Sequence, residues 1–179
     1  MKNKVPFCLG FFALLLSLNI LGQDQGKQSI ELAQLTVEQK LDRAVRNVTG
    51  NYLAGIAYAK SMGKTPEDFG RFYADLFSFA WADIKGKGPE SFVQNWYRFL
   101  QTDRNSQFVI LIASETEIKA KMTVYGISTL RALPDIGVTI DDYVKFCGTW
   151  SGILADNAGL DYNQELVGEW IVFTVSVKK

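Results

Sequence analysis

Residues 108–124 read FVILIASETEIKAKMTV, and this stretch decides the fold class. Phe108 to Ala113 is an unbroken apolar run of strand length, whereas Ile118, Ala120, Met122 and Val124 alternate with Lys119, Lys121 and Thr123. A period of two side chains marks a strand with one face packed and one face in water, so the two halves form an antiparallel hairpin turning at Ser114 to Thr116.

Upstream of the hairpin the period is helical. Thr36 with Gln39 three residues later is a capping-box pattern, and Val37, Leu41, Val45, Val48, Tyr52, Ile56 and Ala59 then recur at helical spacing up to Gly63. Thr65 caps a second helix, with Pro66 at its first position and Asp68 in its first turn, and its apolar face runs from Phe69 to Ile84. Gly86 and Gly88 break that helix, and Pro89 restarts a third through Phe92, Val93, Trp96, Tyr97 and Leu100.

Downstream, the stretch through Pro134 and Gly137 reads as irregular. Thr139 and Asp142 open a fourth helix that Gly159 closes, with Leu160 as the apolar contact after the glycine. Trp170 to Val177 alternates again and makes a third strand. The expected fold class is α+β: three helices, the hairpin, a helix and a final strand, the helices packed on one face of a small antiparallel sheet.

The start of the chain reads as a signal peptide over residues 1–22. Lys2 and Lys4 precede an apolar run from Phe7 to Leu18, and Gly22 supplies a small residue before a polar stretch. The run is shorter than the roughly 20 residues a span needs, so no membrane span is expected after cleavage. Residues 23–35 read as a flexible lead and 36–179 as a single domain of an exported protein, periplasmic or secreted.

Composition narrows the chemistry. Of the 179 residues 13% are aromatic and none is histidine, which excludes imidazole-based catalysis, histidine zinc sites and a histidine pH switch. The chain holds 19 basic and 19 acidic residues, and removing Lys2 and Lys4 with the signal leaves 17 basic ones. A charge so close to neutral argues against nucleic acid as a partner. Of the two cysteines Cys8 falls in the signal, so the mature chain has no disulfide.

The remaining thiol, Cys147, is a weak candidate nucleophile: it lies on the inner face of the fourth helix with no histidine to activate it, so core packing is the stronger reading and no catalytic residue is assigned. Acidic pairs at Glu67–Asp68 and Asp141–Asp142 fall in first helical turns, where helix capping accounts for them. No metal or cofactor motif is present. The aromatic surplus is concentrated in the second and third helices, and Phe77, Trp81, Trp96, Tyr97 and Trp150 are the candidates for lining a ligand pocket between helices and sheet.

Residues 137–179 carry a helix ending ILADNAGLDY followed by ELVGEWIVFTVSVKK. This C-terminal segment, about a quarter of the chain, resembles the tail of the L-2-amino-thiazoline-4-carboxylic acid hydrolase-like proteins. The resemblance implies helices on a small antiparallel sheet. Cysteines that the family carries in its sheet and just before its last strand have no counterparts here, so the resemblance implies no catalytic residue. The expected function is non-catalytic binding of a small apolar ligand or a protein partner; the alternatives are a hydrolase of small amide or thiazoline-like compounds and an accessory protein of an envelope complex.

Overall fold

Three threonine caps set the helical framework. In the computed structural model, which describes residues 34–133 and 135–178, Thr36, Thr65 and Thr139 each complete a reciprocal capping box, with Gln39, Asp68 and Asp142 as the returning side chains. They open α1 (Val37–Ser61), α2 (Pro66–Phe77) and a later helix, Ile140–Ala158. Each box satisfies amide donors that the first turn leaves free. The expected signal peptide and residues 23–33 of the lead lie outside the described residues.

The second helix is shorter than its apolar face suggests. After Phe77 the chain tightens into a 3-10 segment, Ser78–Ile84, before α3 (Gly88–Leu100). With three residues per turn, Ser78, Trp81 and Ile84 fall in line on the packed side, while Phe79, Ala80, Ala82 and Asp83 are exposed. The change of pitch turns Trp81 onto Phe92 and Trp96, each 5.5 Å away between ring centres.

The sheet has four antiparallel strands rather than three. β1 (Phe108–Ala113) and β2 (Glu117–Thr123) form the hairpin, followed by a short helix α4 (Ile127–Ala132) in the stretch read as irregular. A helix of a turn and a half is too brief to show a period. Then come α5 (Ile140–Ala158), β3 (Leu160–Val167) and β4 (Trp170–Val177), in the spatial order β1-β2-β4-β3. The overlooked strand is β3. Leu160, read as the apolar contact closing a helix, is instead its first residue, and Tyr162, Gln164 and Leu166 continue the inner face while Asp161, Asn163 and Glu165 face outward. A glutamine at an inner position disguised the alternation.

The helices α3 and α5 make the main contacts with the sheet. Ile118, Ala120, Met122, Ile171, Phe173 and Val175 are 5% exposed or less, with α3 against β2 and β4 and α5 against β3. Beyond α5 lies α2, brought close by Gly70, where a Cβ would stand 2.9 Å from the Phe146 carbonyl oxygen. Fully burying a large apolar side chain contributes about 1.5–3 kcal/mol, so this double interface supplies much of the driving force for folding.

Candidate functional site

The α1–α2 junction is built around a missing side chain. A Cβ at Gly55 would stand 2.2 Å from the Phe69 ring, so glycine alone lets that ring lie against the α1 backbone. Phe69 is fixed from the other side by Phe146, stacked at 5.1 Å and 21°. Next to it, Tyr58 and Ala59 of α1 and Met62, the residue that caps its C-terminus, line one wall at helical spacing, and Phe72 stacks beside Phe69 at 6.4 Å. Together these side chains bound an open apolar groove of about 370 Å³.

The large side chains around the groove are unusually bare. Tyr58 is 69% exposed, Met62 63% and Phe72 61%. Isolated surface apolar residues need no explanation, but a contiguous patch in a concavity is a feature of binding surfaces. Lys64 and Asp68 stand at the rim. Asp68 is already committed: the Thr65 amide, the Arg71 guanidinium at 2.8 Å and the Thr65 hydroxyl hold its carboxyl down at about 2. Lys64 forms no ion pair among the described residues, which leaves it as the available charge.

The five aromatic residues singled out in the sequence lie elsewhere. Trp96 and Trp150 are 3% and 6% exposed and pack edge-to-face at 5.2 Å. Trp81 rests on Trp96, Phe77 lies 4.5 Å from Tyr73, and the exposed Tyr97 meets Phe108 at 5.4 Å. None of them lines the groove. Of the groove residues, Phe69 and Phe72 belong to the same aromatic cluster in the sequence, but Tyr58 and Met62 carry no sequence signal. The pairing of Gly55 with an aromatic on the next helix is the one clue a sequence reader could have followed.

Cys147 is buried, and burial pushes its thiol up to about 12, a hydrogen bond with Tyr143 drawing it back only in part. At neutral pH it is a protonated core group and not a thiolate. A second cleft, of about 410 Å³, separates α5 from β3. Its floor is tied by its own bonds: Tyr162 donates to Gln164 at 2.7 Å, and the Gln164 amide donates to the Val144 carbonyl at 2.9 Å. Gly148 makes room for that glutamine, since a Cβ there would stand 2.8 Å from it.

Among the described residues no three acidic, cysteine or histidine side chains cluster to hold a metal, and no helix is long and apolar enough to cross a membrane. Comparison with family models, with curated proteins and with solved structures finds no match to the chain.

Proposed function

We propose that the chain is an exported, non-catalytic binding protein that takes a small apolar ligand with an anionic end into the α1–α2 groove. The observation that carries this reading is the groove itself: a concavity within the 300–1,000 Å³ range of ordinary ligand sites, walled by Tyr58, Met62, Phe69 and Phe72, with Lys64 as an available cation at its rim. The ligand's apolar body would lie along Phe69 and Phe72, and its anionic end would meet the Lys64 ammonium.

Isothermal titration with decanoate and with decanol tests this. Decanoate is expected to bind with a sub-millimolar Kd and decanol several-fold more weakly. The Phe72→Ser variant, altered at an exposed position, is expected to lose about tenfold in affinity, equal to about 1.4 kcal/mol. Absence of heat with both compounds, together with native mass spectrometry showing no bound molecule in protein purified from its own cells, would sink the reading.

Leu76 and Phe79, 53% and 74% exposed, extend bare apolar surface past the groove and favour protein docking as the second reading. The hydrolase alternative finds no activated nucleophile in Cys147. It would require that thiol to be alkylated rapidly in the native state.

A further inference from the structure

β1 is an open edge of the sheet, and it lacks most of the features that keep such edges from pairing. Val109, Ile110, Leu111 and Ile112 are each 41–52% exposed, and no charge, lysine or proline interrupts Phe108–Ala113. Edge strands are normally blunted by charge, proline, shortness or cover, because their unpaired amides and carbonyls form a template for another strand. The one irregularity is a bulge between Ile110 and Ile112, at the middle of the strand.

The neighbouring helix indicates what pairs there. α3 runs antiparallel to β1: Glu90 and Gln94 border a groove of about 410 Å³ with Ile110, Ala113, Glu115 and Ile118, while Tyr97 at the other end of the helix reaches Phe108. Glu90, Gln94 and Arg98 are exposed and four residues apart, so they form one stripe along the helix: acid, neutral amide, base. Read in reverse, the stripe is its own electrostatic complement.

We infer that β1 pairs antiparallel with β1 of a second copy of this chain, giving a two-fold dimer with a continuous eight-stranded sheet. An uncharged strand meets itself without repulsion. The two-fold places the acidic end of one α3 stripe toward the basic end of the other, and the Gln94 side chains and the two bulges come to the axis. Such an isologous contact closes on itself and leaves no β1 edge to propagate. It also covers Ile110, which α3 leaves uncovered on the inner side of the sheet.

Sedimentation equilibrium on the purified mature protein tests the assembly, with a mass twice that of its single chain expected. The Val109→Lys/Ile112→Lys variant, changed at two exposed outward positions, is expected to run as a monomer with its circular dichroism unchanged. Glu90→Arg alone should weaken the dimer about tenfold at low salt, and the swap Glu90→Arg/Arg98→Glu should restore it. A wild-type monomer at about 100 µM, far above the Kd of a specific dimer, would overturn the inference. So would a dimer indifferent to the lysines, or a charge swap that fails to restore, and either result would assign β1 to a foreign strand or to none.

Discussion

The two edges of one sheet are built on opposite plans. β3 alternates, with Leu160 only 3% exposed beneath the helices and Asp161, Asn163 and Glu165 turned to water, so its outer face is polar and its inner face is anchored. β1 is apolar on both faces and anchored mainly through Phe108, which lies 6.1 Å from Phe173. A polar edge can stand alone in solution. An apolar edge that is equally exposed has traded that independence for the ability to pair.

The comparison can be broken most directly at the centre of the sheet. Phe173 is 1% exposed and touches rings from both edges, Phe108 and Tyr162, so Phe173→Ala should destabilise the fold by about 3–5 kcal/mol in urea titration. Val109→Ala, on the open edge, should cost under about 1 kcal/mol at concentrations where the chain is monomeric. Similar costs at the two positions would show that β1 is packed after all.

The anchoring of β3 depends on Gly148, which admits Gln164 against α5. Gly148→Ala should force that glutamine from its bond to the Val144 carbonyl and cost about 1–3 kcal/mol, seen as a lower urea midpoint. The same change at Gly152, where a Cβ meets nothing within 4 Å, should be neutral or slightly stabilising.

The smallest expected effect is electrostatic and touches neither edge. Burial raises the Asp142 carboxyl, but the Lys60 ammonium at 2.6 Å and the Thr139 cap outweigh it and hold the group below its ordinary value. The folded state therefore favours the ionised form. Its contribution is fully present above the unfolded carboxylate range, near pH 4, and is lost as pH falls through the lowered value. Thermal melts between pH 5 and pH 2 should show that decline, and Asp142→Asn should flatten it. An unchanged slope in the variant would place the acid sensitivity elsewhere, beginning with Asp68.

Much of this architecture was legible locally. Thr36, Thr65 and Thr139 announce three helix starts, because a cap is a contact between residues three apart and needs nothing distant. The change from helical to alternating period at Phe108 gives the α+β class for the same reason. The ligand candidates fared differently: Trp96 and Trp150 are apolar enough to line a pocket or to fill a core, and only their neighbours decide. The groove at Gly55 was hidden because it depends on Phe69 arriving from another helix.

The sequence by itself determined where α1, α2 and α5 begin, that the chain is α+β, and which faces of β2 and β4 are packed, since each follows from spacing within one element. Only the tertiary structure decided that β4 inserts between β2 and β3, which turns the most apolar strand into an exposed edge and makes a polar strand the opposite border. Strand order is set by which distant segments bury the most surface together, and no period within a single strand records its neighbours.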